Sequence, residues 1–273
     1  LPWFMIFGET ASGKSTAVSH ARLKNILTDA GPAKGIASTK NCDWWFFENA
    51  IILDTAGRYA VPLADEDRGE WERFLVLLAK YRRKEPLNGL IVTLPADRLL
   101  ADDADAMMDY GRSIRLRIDQ LMRVLGAKFP VYLLITKIDQ VLGMTAMAEI
   151  LPESLRGQAM GLLNASESRD PGEFLDAAIG HVSRRLKDLR LWLAARVGKS
   201  CGRALLFPDE FERLAPAIRT FVDGAFHENP YQETPFFRGF FISSGRQSGL
   251  TRSGVLGSLE SFRDRQWRLP DTG

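Results

Sequence analysis

Cysteine is nearly absent from this sequence: only Cys42 and Cys201 occur in 273 residues. They have neither CxxC spacing nor histidine neighbours, which argues against a disulfide framework or a cysteine metal site and fits a reduced, cytosolic compartment. Long apolar runs are missing too. None approaches the ~20 residues that cross a bilayer, so nothing in this chain is expected to span a membrane. An excess of one charge is lacking: the formal net charge is +2, so bulk electrostatics nominates neither nucleic acid nor an anionic membrane as partner. The basic clusters Lys80–Lys84 (KYRRK) and Arg184–Arg190 (RRLKDLR) read as solvated helix faces. An initiator methionine and room for a signal peptide are also absent, because Leu1-Pro2-Trp3 leads straight into an apolar segment. The chain therefore reads as a piece of something longer. What remains, 45% apolar and 26% charged residues, suits one large globular domain or two modest ones.

Apolar periodicity in the first half alternates between strand and helix, predicting a mostly parallel sheet covered by helices. Strands are expected at Trp3–Phe7, Gly89–Leu94 and Val131–Ile135. Segments 43–47 and 50–53, separated only by Glu48-Asn49, should form an antiparallel hairpin. Helices are expected over Ser15–Thr28, Glu70–Arg83 and Asp97–Leu125, the last closed by Gly126. After Asp139 the alternation lapses. Met147–Leu163, Glu173–Val197 and Asp209–Phe226 carry helical spacing, and strand character returns only at Phe237–Ile242. This predicts an α/β domain formed by residues 1–143 and 232–273, with a helical insertion at 144–231 before the last strand. A loop and a short amphipathic helix through Trp267 should follow.

Residues 8–15, Gly-Glu-Thr-Ala-Ser-Gly-Lys-Ser, read GxxxxGKS between a strand and a helix, the setting of a phosphate-binding P-loop. Triphosphate oxygens need many donors in a small volume, and glycine lets backbone N–H groups turn inward. The helix N-terminus adds its dipole. Gly8, Ser12, Gly13, Lys14, Ser15 and Thr16 are the expected nucleotide contacts. Lys14 would place positive charge on the β and γ oxygens, and the Ser15 hydroxyl would sit on Mg²⁺.

Other loops supply what a nucleotide hydrolase or switch needs, in sequence order. The apolar stretch 51–57 ends in Asp54-Thr55-Ala56-Gly57, a DxxG in which Asp54 would hold a Mg²⁺-bound water and the Gly57 N–H would meet the γ phosphate. Thr39 precedes the hairpin where a switch loop would bring a hydroxyl to Mg²⁺, with Ser38 competing. Residues 136–139, Thr-Lys-Ile-Asp, match the guanine-reading [NT]KxD pattern. The Asp139 carboxylate can accept from two guanine N–H groups while the Lys137 stem packs on the base, with adenine left open. Ser244, after the final strand, is placed to contact the base edge. The glutamine that orients water in switch GTPases is missing; Arg58 follows DxxG instead. Arginine cannot act as a base. It can stabilise a transferring phosphoryl group, or it can pair with an acid among Asp65, Glu66 and Asp67.

Several stretches together resemble the cytoplasmic domain of the TssM/IcmF family, an inner-membrane subunit of the bacterial type VI secretion system. They are Leu1-Pro2-Trp3, residues 41–46 (NCDWWF), 53–59 (LDTAGRY) and 88–94 (NGLIVTL), Phe207-Pro208 with Phe211, and 237–245 (FRGFFISSG). The resemblance covers nearly the whole chain. It implies a P-loop NTPase fold like that of small GTPases with a helical insertion, lying at the cytoplasmic face of the inner membrane. It also implies GTP or ATP with Mg²⁺ as ligands, and other membrane-complex and baseplate proteins of that system as partners. DTAGRY makes Arg58 part of the family pattern. A nucleotide-dependent switch or slow NTPase, with Lys14 and Arg58 as candidate catalytic groups, is the leading reading; a structural scaffold is the alternative. Adjacent Trp44 and Trp45 should face opposite sides of their strand, one into the core and one toward solvent or a partner.

Overall fold

The computed structural model describes residues 1–21, 23–24, 26, 42–60, 65–152, 155, 158–165, 168, 170–197, 202–227 and 234–244. In chain order the elements are β1 (Trp3–Phe7), α1 (Lys14–Ser19), β2 (Cys42–Phe46), β3 (Ile51–Thr55), α2 (Asp65–Tyr81), β4 (Gly89–Pro95), α3 (Ala96–Ala101), α4 (Ala104–Leu125), β5 (Pro130–Thr136), α5 (Met144–Ile150), β6 (Met160–Leu163), α6 (Pro171–Val197), α7 (Phe207–Glu212), α8 (Ala215–Phe226) and β7 (Phe236–Ile242). The strands form one sheet in the order β2-β3-β1-β4-β5-β7-β6. Its centre is parallel, and the flanking pairs β2–β3 and β6–β7 are antiparallel. The fold is thus mixed α/β, with a multi-stranded sheet and helical insertions. None of the described helices is long and apolar enough to cross a membrane.

Apolar runs explain the central strands. Leu90, Val92 and Leu94 of β4 are buried, as are Val131, Leu133 and Ile135 of β5, and the helical layer covers their shared face. Helix α4 starts where Asp103 accepts a hydrogen bond from the Ala106 N–H at 2.8 Å, an N-cap that satisfies an otherwise orphan donor. It stops at Gly126, whose φ of 59° gives a left-handed C-cap. Between them Ile114, Ile118, Leu121 and Leu125 line the buried face. On the other side of the sheet a small cluster of Ile6, Val18, Phe47 and Ile52 packs with Phe4, Trp45 and Ile91.

The antiparallel hairpin is present, with Asp43 opposite Asp54 and Trp45 opposite Ile52. Trp45 joins the small cluster, and Trp44 is left 45% exposed, as side-chain alternation requires. Readings of periodicity need correction at four places: among the described residues of 15–28 the helix ends at Ser19, and 209–226 is two helices, α7 and α8, with Arg213 and Leu214 between them. The stretch 97–125 is broken at Asp102, which is extended, so α3 and α4 are separate helices. The stretch 147–163, expected to be helical throughout, ends in β6, which pairs antiparallel with β7, after helix α5 stops at Ile150. Four residues carry too little pattern to separate the two periods, and cross-strand bonding to β7 decides the outcome. The C-terminal helix through Trp267 lies outside the described residues.

Helices α4 and α8 cross closely. A Cβ on Gly111 would stand 2.4 Å from the Phe221 carbonyl oxygen and 3.0 Å from the Gly224 Cα. Backbone atoms cannot step aside as a flexible side chain can. By contrast, a Cβ on Gly180, within α6, would meet nothing within 4 Å. Gly111→Ala should therefore destabilise the fold by about 1–3 kcal/mol despite its better helix propensity, and Gly180→Ala should stabilise it by up to about 1 kcal/mol. Urea denaturation of the two variants checks the pair; equal effects would refute the close crossing.

Candidate functional site

Residues 8–15 leave β1 and wrap over the carboxyl ends of β4 and β5. Two threonine hydroxyls hold them there. Thr93 Oγ1 lies 2.8 Å from Ser12 Oγ, and the Thr136 hydroxyl donates to the Ser12 carbonyl at 2.5 Å. Gly13 has φ 85°, a left-handed turn that starts α1 at Lys14. A Cβ on Gly8 would fall 2.0 Å from Thr93 Oγ1, so the loop sits this low only with glycine at that position.

Lys14 is 6% exposed. Its ammonium donates to the carbonyls of Gly8 and Glu9, each at 2.8 Å. Burial lowers its pKa to about 8, against the opposing pull of Asp54 and Glu9. The Ser15 hydroxyl donates to Asp54 Oδ2 at 2.5 Å. Asp54 is fully buried at the end of β3, and the Trp45 indole beside it helps to stabilise the carboxylate. Burial raises the Asp54 pKa, opposed by the Ser15 bond and the Lys14 charge, while Asp43 across the hairpin raises it further. Gly57 presses against the same loop: a Cβ there would stand 2.0 Å from the Thr10 nitrogen. The structure thus brings Gly8, Ser12, Gly13, Lys14, Ser15, Asp54 and Gly57 together. Thr16 lies one residue further along α1, where its carbonyl accepts from the His20 N–H at 3.1 Å.

Arg58 turns away from this cluster. Its Nε pairs with Asp67 at 2.7 Å and its Nη2 with Glu70 at 2.9 Å, and its guanidinium lies 4.7 Å from the Tyr59 ring centroid. Pairing with Asp67 was one of the two sequence expectations for this residue. Thr39 and Gly245 lie outside the described residues.

A second cluster forms where β5 and β7 end. Lys137 adopts a left-handed conformation with φ 54°. Its Nζ pairs with Asp97 at 2.8 Å, and its Cγ would lie 3.8 Å from a Cβ on Gly13. The Lys137 stem therefore runs beside the loop of residues 8–15. Asp139 Oδ1 accepts from the Ser244 hydroxyl at 2.7 Å, bringing the two base-reading candidates together.

Sequence reasoning missed three contributors. Thr93 read as strand filler and Thr136 only as the first residue of the 136–139 motif, although both hydroxyls anchor the loop. Arg98 pairs with Glu9 at 2.5 Å and Asp102 at 2.6 Å, and lies 4.2 Å from the Tyr110 ring centroid. It neutralises the one carboxylate within the loop, which would otherwise repel an anion. A separation of 89 residues between Glu9 and Arg98 leaves no local signal.

The donor set, the Ser15 hydroxyl and the buried Asp54 carboxylate, is of the oxygen type that suits Mg²⁺ beside phosphate. Among the described residues no three His, Cys, Asp or Glu side chains form a metal cage. Mg²⁺ held through one or two protein oxygens, phosphate and water needs none.

The shift at Lys14 has a measurable consequence. Between pH 8 and the ordinary lysine value of 10.5, the folded chain binds fewer protons than the unfolded one, so stability rises with pH. The unfolding free energy, measured relative to Lys14→Met, should be flat below pH 8 and increase across that window. A flat difference throughout would mean the ammonium is solvated.

Comparison with known proteins places these residues in a family. The model of the IcmF-related N-terminal domain matches residues 64–270. The chain is 33% identical, over 287 aligned positions, to type VI secretion system component TssM1 of Pseudomonas aeruginosa; the match covers 100% of this chain and 26% of that protein. The chain thus spans about a quarter of the length of that curated relative. A solved chain from the signal recognition particle receptor SRb-GTP/SRX complex of Chaetomium thermophilum is similar at a TM-score of 0.33 and 15% identity, covering 51% of this chain and 70% of that one. At that score the likeness carries no weight.

Proposed function

This chain belongs to the TssM/IcmF family, and we propose that it is a Mg²⁺-dependent nucleotide-binding domain, a switch or slow NTPase for GTP or ATP, within a type VI secretion membrane complex. The observation that carries this reading is the convergence of Lys14, Ser15, Asp54 and Gly57 on one glycine-bounded loop. In this reading the fold is that of a P-loop NTPase related to small GTPases. The domain works at the cytoplasmic face of the inner membrane, alongside other membrane-complex and baseplate proteins.

Each residue then has a task. Backbone N–H groups from Gly8 to Ser15 hold the β phosphate, with Ser12 and Thr16 at the rim. Lys14 exchanges the Gly8 and Glu9 carbonyls for phosphate oxygens, whose negative charge favours the ammonium form that burial disfavours. Ser15 supplies a metal ligand, Asp54 orients a metal-bound water, and Thr39 supplies a second hydroxyl. Mg²⁺, when bound, neutralises phosphate charge. Gly57 reports the γ phosphate, because its N–H lies on the segment already packed against Thr10. Lys137 lies along the base, and Asp139 with Ser244 reads its edge. Asp139 favours guanine, since adenine offers no matching pair of N–H groups.

Turnover is slow in this reading. No glutamine follows DxxG, and Arg58 is held by Asp67 and Glu70. A scaffold reading has support of its own: Lys14, Arg58 and Lys137 each already have an acceptor or carboxylate partner within the chain.

Titration with fluorescent GTP and ATP analogues, with and without Mg²⁺, separates the two readings. Binding should require Mg²⁺ and fall at least about a hundredfold in Lys14→Ala, which removes a charge-assisted contact from a desolvated site. Absence of binding to either analogue would leave only the scaffold. In single-turnover measurements Arg58→Ala should keep the rate within a few-fold; a loss of about a thousandfold, the scale of an arginine finger, would instead make Arg58 catalytic.

A further inference from the structure

The end of the sheet opposite the nucleotide-site candidates carries an aromatic and basic corner that the reading above leaves unused. Trp3 opens β1, and its ring lies 5.2 Å from the Trp44 ring, edge to face. Trp44 stacks on Phe46 at 6.2 Å. Trp3 also receives the Arg82 guanidinium at 4.5 Å from the ring centroid. Arg82 belongs to the run Lys80-Tyr81-Arg82-Arg83-Lys84 at the end of α2. Tyr81 is 77% exposed and Trp44 45% exposed.

Among the described residues none of the four cations in this run is paired with a carboxylate. Lys80 lies over the Tyr81 ring, and Arg82 donates to the Glu85 carbonyl at 2.9 Å. The Glu85 carboxylate accepts from the Asn88 side chain at 3.2 Å. A solvated helix face accounts for a run of cations. It does not account for an exposed Trp44 set edge to face against Trp3, the ring that one of them covers.

We propose that this corner docks on an anionic phospholipid surface. Trp and Tyr place an apolar ring and a polar edge at the level of lipid headgroups, and unpaired Lys and Arg are drawn to the surface potential of anionic lipids. The four clustered cations provide local charge complementarity even though the chain as a whole is almost neutral. Protein interfaces also favour Trp, Tyr and Arg but are poor in lysine, and two of the four cations here are Lys80 and Lys84. β1 runs from Trp3 to Phe7 before the loop of residues 8–15 begins, so the corner lies about one strand length, roughly 15 Å, from that loop. Docked this way, the nucleotide-site candidates face away from the bilayer.

Co-sedimentation of the chain with phosphatidylcholine vesicles, with and without phosphatidylglycerol, tests the proposal. Binding should require phosphatidylglycerol, weaken with salt and shift tryptophan emission to the blue. Replacing Lys80, Arg82, Arg83 and Lys84 by Gln should lower affinity by about fivefold per cation. Trp44→Ala should reduce the blue shift while near-ultraviolet circular dichroism confirms an intact fold. No binding to phosphatidylglycerol vesicles, or equal binding by the fourfold variant, would overturn the proposal. So would concentration-dependent self-association that Trp44→Ala abolishes in the absence of lipid, since the corner would then be an interface between copies.

Discussion

A lysine ammonium held at 6% exposure inside its own loop is the constraint on which the rest of this end of the molecule depends. Removing a cation from water is costly unless acceptors replace the lost solvation. Here the carbonyls of Gly8 and Glu9 do so, with the Asp54 charge close enough to matter. Carbonyls can converge on Lys14 only if the loop turns tightly, which requires the left-handed Gly13. They stay converged because Thr93 and Thr136 bind Ser12 from two neighbouring strands. The sheet order matters for the same reason: β1 lies between β3 and β4, so Asp54 reaches the loop from one side and Thr93 from the other.

Gly57 and Arg58 show how one segment divides its duties. Gly57 packs against Thr10 so closely that no side chain fits. The next residue departs in another direction, and its guanidinium bridges Asp67 and Glu70 on α2 beside Tyr59. Tyr59 stacks on Trp71 at 4.9 Å, and Trp71 is buried against Phe7 and Phe74. Arg58 therefore fastens the segment after β3 to a helix anchored in the core. Because the ion pairs are partly exposed, stacking and burial at Tyr59 and Trp71 hold the segment more firmly than charge does.

Strong local patterns made much of this fold legible in the sequence. The runs Trp3–Phe7, Gly89–Leu94 and Val131–Ile135 are too apolar for anything but buried strands, and the two-residue gap at Glu48-Asn49 admits only a hairpin. The GKS and DTAG residues are local motifs, so their convergence was readable as well. Features decided by distant partners were not. β6 is a strand because β7 offers it hydrogen bonds, and Met-Gly-Leu-Leu carries no period of its own. The break at Asp102 follows from a cap at Asp103 and the bridge to Arg98, in a stretch whose apolar spacing continues across it. The Thr93 hydroxyl is indistinguishable in sequence from those of other strand threonines, and the 136–139 motif does not tell what the Thr136 hydroxyl binds, because the loop brings both of them their partner.

Arg98 links the loop to the helical layer, and its surroundings define what would separate a switch from a scaffold. It joins Glu9 to Asp102 and lies against Tyr110, one residue before Gly111, where α4 meets α8 backbone to backbone. Tyr110 is buried, and its hydroxyl meets the Glu9 backbone. A loop that changes the position of Glu9 must either carry Arg98 with it or break a bridge on a tightly packed helix. Packed helices shift between discrete arrangements and do not deform continuously. A scaffold keeps Arg98 between the same two carboxylates in every state. A switch requires Arg98 to release Glu9 and gives the vacated guanidinium a different acceptor. Spatial contact alone provides the route between loop and helices; an exchange of partners at Arg98 is what would give that route two states.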